Sequence, residues 1–178
     1  MTRRDVGTAT LVFVLALAAS ARGQGPSPIL EGHEGDDYTR YELLAPETAQ
    51  FRIIYEVTAI RTGARFYFNP IRKGSEATDE AVYDRMTGQT LAFKVVSGAQ
   101  AREAGQADAD PDTNYIQVTL PRPVPQGGEI RLRIDKTYKD AKSYYREGEA
   151  IVFNRGLGIK RNAVVLPAGY ELVSCNLT

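Results

Sequence analysis

Oxygen-bearing side chains recur at every second residue in Asp108, Asp110, Asp112 and Asn114, and loops wrap a hard cation such as calcium with that spacing. Thr113 stands where such a loop carries its sharp-turn glycine, no bidentate Glu follows at the expected place, and Pro111 stiffens the middle. A solvated acidic loop is therefore the favoured reading, with calcium as the alternative and no other cofactor expected. Glu31, His33, Glu34, Asp36 and Asp37 could also ligate a cation, but Gly32 and Gly35 lower any tendency to hold ligands in place. Tyr144 and Tyr145 beside Arg146 form a candidate platform for a sugar or peptide. Tyrosine is also a good strand residue, and pleat or core duty is the commoner role.

The search for a reaction centre returns little. A general base near neutral pH is most often histidine, and His33 is the only one, which removes Ser-His-Asp and Cys-His arrangements and the H-E-x-x-H zinc motif together. Phosphate loops and a G-x-S-x-G elbow are absent, and Gly156 and Gly158 read as a bend. Glycosidase chemistry needs only two carboxylates about 5 to 10 Å apart. Glu129, Asp135, Glu147 and Glu149 exist, but sequence does not pair them. The expectation is a protein that is not an enzyme.

Arg3 and Arg4 precede an apolar run from Leu11 to Ala19, and Ala19-Ser20-Ala21 fits a small-x-small cleavage site, so residues 1–21 read as a secretory signal. The run is shorter than the roughly 20 residues a membrane span needs. A secreted or periplasmic address follows, with no stable span once the signal is removed. Lys plus Arg and Asp plus Glu balance at 22 each, which gives no basic excess to neutralise phosphates and argues against nucleic acid as a partner. Cys175 is the only cysteine, so burial rather than an internal disulfide must hold the fold.

Residues 22–47 are rich in Gly, Pro, Ser and acids, and read as a flexible linker, leaving 48–178 for the folded domain. That domain shows period-two patterning throughout, and no stretch carries helical spacing over three turns. The clearest signal is Tyr115 to Tyr138. Ile116, Val118 and Leu120 form one apolar face, and Ile130, Leu132 and Ile134 another, with a Pro/Gly loop between them that predicts an antiparallel strand pair. Val82-Tyr83 and Leu91, Phe93 and Val95 flank Met86-Thr87-Gly88-Gln89 as a second hairpin, preceded by a polar loop at Glu76, Asp79 and Glu80. Gly98 to Asp112 reads as a loop, Ala150 to Phe153 and Asn162 to Leu166 as strands, and Tyr170 to Cys175 as a last strand with Leu172 inward and Cys175 near the surface. Asn176-Leu177-Thr178 fits a glycosylation acceptor.

The sum is all-β: an antiparallel β-sandwich of about eight or nine short strands. Its core is expected to hold Phe51, Ile53, Tyr55, Val57, Phe66, Phe68, Ile116, Val118, Leu120, Ile130, Leu132, Ile134, Ile151, Phe153, Val164 and Leu166.

The YIQVTL strand, its proline-containing loop, Gly128-Glu129 and the IRLRIDKTY strand resemble the N-terminal β-sandwich, or saddle, domain of gluzincin-class zinc aminopeptidases. Phe51 to Ala59 and Ala163 to Tyr170 fit the same layout. Those enzymes keep their zinc motif in a later domain, so the resemblance implies a β-domain without catalytic residues. Two functions follow as expectations. One is an exported binding or scaffolding module that engages a protein or envelope partner or further domains of the same polypeptide. The other is an accessory N-terminal part of a larger metallopeptidase-like protein. A calcium-dependent carbohydrate-binding or adhesion domain stands third.

Overall fold

The computed structural model describes residues 37–176. The signal at 1–21, most of the linker with Glu31, His33, Glu34 and Asp36, and Leu177-Thr178 of the glycosylation pattern lie outside the described residues, whereas Asp37 is described and accepts from the Thr58 N–H at 3.2 Å.

Among the described residues ten strands form the fold: β1 (Tyr38–Leu43), β2 (Gln50–Ala59), β3 (Phe66–Pro70), β4 (Glu76–Asp84), β5 (Phe93–Ser97), β6 (Asn114–Thr119), β7 (Ile130–Lys139), β8 (Tyr144–Glu147), β9 (Ala150–Phe153) and β10 (Arg161–Val165). A large sheet has the order β10-β1-β2-β7-β4, a small sheet β3-β6-β5, and β8 and β9 pair alone. All pairs are antiparallel except β1 with β10. The all-β expectation holds at this level.

The large sheet is covered twice. Over β7 and β4 lies the small sheet, and Val82 and Ile134 of one meet Ile116 and Val118 of the other in an apolar cluster against which Tyr55, Tyr67, Ile71 and Leu91 pack. Over β1 and β2 lies the β8–β9 hairpin with the chain after it, where Tyr41, Leu43, Phe51, Ile53, Tyr138 and Tyr144 are buried against Ile151, Phe153 and Leu166. Period two explains this: alternate residues of β1, β2 and β7 point to one face, and that face is mostly buried along these three central strands.

Most of the expected core is buried, with Ile116, Val118, Leu132 and Ile134 at 0% exposure, but Val164 is 41% exposed on the edge strand β10. Several expectations need correction. Tyr115 to Tyr138 is not one strand pair. β6 pairs with β3 and β5, whereas β7 pairs with β2 and β4, so the Pro/Gly loop carries the chain from one sheet to the other. The alternation is the same in both arrangements, because facing layers and paired strands both demand one apolar side. Leu120 and Leu132 therefore meet through the layers, in one cluster with Ala59, Val124 and Ile130.

The second hairpin is half formed. Gly88 adopts φ +74°, its N–H donates to Asp84 O and the Leu91 N–H donates to Val82 O, after which β5 joins the small sheet. Glu76, Asp79 and Glu80 lie in β4 rather than in a loop.

The linker does not reach Glu47. β1 lies between β2 and β10 with Thr39, Tyr41 and Leu43 buried, and its alternation is a strand signal hidden among polar residues. The acidic segment Gly98 to Asp112 begins with a helix, α1 (Gly98–Glu103), which Ser97 and Gln100 start by a reciprocal capping box. Gly98 lets this helix approach the chain closely, since a Cβ there would fall 1.9 Å from the Asp110 carbonyl oxygen. The helix and the turn after it cover the outer face of the small sheet through Ala101 and Ala109 against Phe68, Val96 and Tyr115.

Tyr170 to Cys175 forms no strand, and Leu172 is 69% exposed rather than inward, although Cys175 is exposed as expected. No helix among the described residues is long and apolar enough to cross a membrane.

Candidate functional site

The predicted site residues separate on folding. Asp108, Asp110, Asp112 and Asn114 do not converge, and no group of three or more His, Cys, Asp or Glu able to hold a metal ion occurs among the described residues. Asp110 shapes its own turn instead: its carboxylate accepts from the Asp112 N–H (2.9 Å) and the Thr113 hydroxyl (3.1 Å) and pairs with Lys73 at 3.0 Å. Asp108 accepts from Gln106 at 2.8 Å. The platform at Tyr144, Tyr145 and Arg146 is broken by the strand pleat. Tyr144 is fully buried and donates its hydroxyl hydrogen to Leu44 O at 2.8 Å, Tyr145 is half-buried, and the exposed Arg146 donates to the Tyr170 hydroxyl at 2.9 Å.

Two other regions concentrate chemistry. The first lies inside, on the buried face of β7, where Ile134, Lys136 and Tyr138 follow one another between the two covers of the large sheet. Lys136 is only 5% exposed, and its Nζ donates to Asn69 Oδ1 of β3 at 2.5 Å and lies 4.9 Å from the Tyr138 ring centre. Opposite it the β4 ladder breaks: Thr78 pairs with Thr137 and Ala81 with Asp135, so Asp79 and Glu80 bulge across from Lys136 and Asp79 takes φ +54°. Burial first, and then the Arg155 charge, push the Lys136 pKa from 10.5 to about 7, against the opposing pull of Glu80.

Asp140 sits two residues beyond Tyr138. Its carboxylate accepts from the Lys142 and Ser143 N–H groups (3.1 Å each) and from the hydroxyls of Ser143 (2.7 Å) and Ser75 (3.1 Å). Burial pushes its pKa up, but those hydrogen bonds outweigh burial, so it titrates below the usual carboxylate range. Arg155 approaches it to 3.7 Å. Here an amine and a carboxylate are held in unequal environments, which is how titrating groups are tuned, and both are buried, Lys136 at 5% and Asp140 at 7% exposure.

The second region is the outer face of the large sheet. Arg52 pairs with Asp135 at 3.0 Å and reaches Glu42 at 3.9 Å, Arg133 pairs with Asp135 at 2.6 Å, Arg85 with Glu56 at 2.9 Å and Arg131 with Glu129 at 2.6 Å. Arg133 also lies over the Tyr83 ring at 5.6 Å. Asp135 is 4% exposed although it stands on this outer face, because Arg52 and Arg133 cover it. Shallow depressions open between the rows, one lined by Arg52, Tyr83, Arg85 and Arg133.

Sequence reasoning passed over Lys136, yet the signal was present: Ile130, Leu132 and Ile134 set a phase that puts Lys136 inward. For Arg155 no local signal exists, since only the packing of the hairpin brings it inside.

No protein-family model matches the sequence, and no curated protein matches it. Among solved structures the fold is similar to a two-domain M1 zinc metallopeptidase, solved as a point mutant bound to the amino acid L-tryptophan, at 15% identity and a TM-score of 0.37. The match covers 58% of this chain and 19% of that one. This chain thus spans under a fifth of the length of that enzyme.

Proposed function

We propose that this chain is an exported, non-enzymatic β-sandwich module that engages a protein partner, or further domains of its own polypeptide, through the outer face of its large sheet. The observation that carries the reading is the row of arginine–carboxylate pairs across β2 and β7 and the turn after β4. Arginine is favoured at protein interfaces because its planar fork and stem give both directed hydrogen bonds and contact area. Paired charges of both signs on a pleated surface favour a partner carrying the complementary pattern, with register fixed by charge rather than by a deep pocket.

The test is affinity capture from the secreted or periplasmic fraction, using the mature chain and an Arg52→Glu/Arg85→Glu variant of matched melting temperature. A protein retained at about 0.15 M salt, released as screening rises, and lost with the variant supports the reading. Equal retention by both chains overturns it. A second reading, an accessory N-terminal domain of a larger metallopeptidase-like polypeptide, rests on the sequence likeness of the YIQVTL and IRLRIDKTY strands. A reading frame that continues past codon 178 into H-E-x-x-H supports it.

A further inference from the structure

The chain between β9 and β10 carries Gly156 and Gly158 and forms no strand, yet it sends Arg155 inward and rests Leu157 against the same aromatic cluster. Arg155 is 9% exposed, and its Cζ lies 5.9, 5.3 and 5.2 Å from the ring centres of Tyr41, Phe51 and Tyr138. Those rings belong to three adjacent strands of the large sheet, β1, β2 and β7. Asp140 stands at the border, 3.7 Å from Arg155 Nη1.

Each wall has support of its own. The Tyr138 hydroxyl accepts from the Arg72 N–H at 3.2 Å, Phe51 is fully buried between paired neighbours, and four donors from Ser75, Lys142 and Ser143 fix Asp140. The guanidinium is the less well matched component: its buried Nη1 makes no hydrogen bond. A planar cation against several ring faces with an ionised carboxylate at one edge is how proteins recognise guanidinium groups. Here the cage belongs to the sheet and the cation to a glycine-bearing strap.

We propose that Tyr41, Phe51, Tyr138 and Asp140 form a guanidinium-binding site that Arg155 fills in cis, and that the strap is a removable plug. Lifting the strap would free the site for an arginine side chain or another alkylguanidinium. The inference does not depend on the outer-face reading, since it concerns the opposite face of the sheet.

The test is the melting temperature of Arg155→Ala with and without about 10 mM methylguanidinium, against methylammonium at equal ionic strength. A ligand that binds only the folded state stabilises it by RT ln(1 + L/Kd) at free concentration L, and so raises the melting temperature as L passes Kd. Methylguanidinium should restore a few degrees to Arg155→Ala, with no such gain for the unsubstituted chain or for Arg155→Ala/Asp140→Asn. Equal effects of the two cations on Arg155→Ala overturn the proposal. If that variant does not fold, amide exchange in the unsubstituted chain decides: the Asn154 N–H, which donates to Ser143 O at 2.8 Å, should exchange at least about tenfold faster than the paired amides of β2 and β7. Exchange at their rate overturns the plug.

Discussion

The two covers of the large sheet solve the same problem with different chemistry. Under the small sheet the centre of the contact is dry: Val82, Ile116, Val118 and Ile134 are at most 1% exposed and carry no polar side-chain atom, and polar groups enter with the hydroxyls of Tyr55 and Tyr67, which pack against them. Under the β8–β9 hairpin the contact is aromatic and ionic, with Phe153 at 5.4 Å from Tyr41 and 5.2 Å from Phe51 and the Arg155–Asp140 pair beside them. Lys136 lies where the two meet. A dry layer needs only volume and phase, so many apolar combinations satisfy it. A layer with buried charges must also satisfy each donor and acceptor, and one missing partner leaves a costly group. The aromatic half is therefore the more specific and the more easily damaged of the two.

The largest expected effect breaks the frame of the aromatic half. A chain that begins at Thr48 lacks β1, which sits between β2 and β10 and supplies Tyr41 and Leu43. Losing it exposes an edge of β2 and unroofs Phe51 and Ile53. Thermal denaturation of that truncated chain should show no cooperative transition. A melting temperature within a few degrees of the longer chain would mean that β1 contributes nothing to the core.

A smaller effect measures the dry half. Leu132 is fully buried among Ala59, Leu120, Val124 and Ile130, so Leu132→Ala removes burial and leaves a cavity, at about 2 to 5 kcal/mol. Urea denaturation reads this as a lower midpoint with an unchanged slope. A loss under about 1 kcal/mol would show that the layers can collapse onto the gap.

The same contrast explains what could be read from the sequence. Phe51, Ile53, Val57, Ile116, Val118, Leu132 and Ile134 were legible because period two alone assigns them a buried face. Which strands pair was not, since the alternation of Ile116 to Leu120 and Ile130 to Ile134 is equally satisfied by neighbours in one sheet and by layers facing each other. β1 was hidden because Tyr38, Arg40 and Glu42 give it a polar composition, although Thr39, Tyr41 and Leu43 keep the phase. Tyr170 to Cys175 showed the reverse failure: its alternation is present but it finds no strand partner within the described residues. For the interior site, phase places Lys136, whereas Arg155 and Asp140 meet through contacts between distant parts of the chain.

The finest test separates the halves at Lys136, whose environment is set by Asn69 of β3, the Glu80 bulge of β4, Tyr138 of β7 and Arg155 beyond β9. Its folded pKa of about 7 lies below the ordinary 10.5. Between those values the unfolded chain binds the proton more tightly, so stability rises with pH across that window and is flat below it for this group, with a slope of at most about 1.4 kcal/mol per pH unit. Tyr55, Tyr67 and Tyr138 act in the opposite sense above about pH 10, because burial raises their folded pKa values and the unfolded chain ionises first. Stability should therefore climb from neutral pH, peak near pH 10 and then fall. Lys136→Met removes the climb and keeps the fall, and it should be more stable than the parent chain at pH 6, where the parent must bury a charged ammonium. Urea midpoints at pH 6, 8 and 9.5 decide it. Parallel curves for the two chains would place a charged Lys136 in the folded protein throughout, with Glu80 rather than Asn69 as its effective partner.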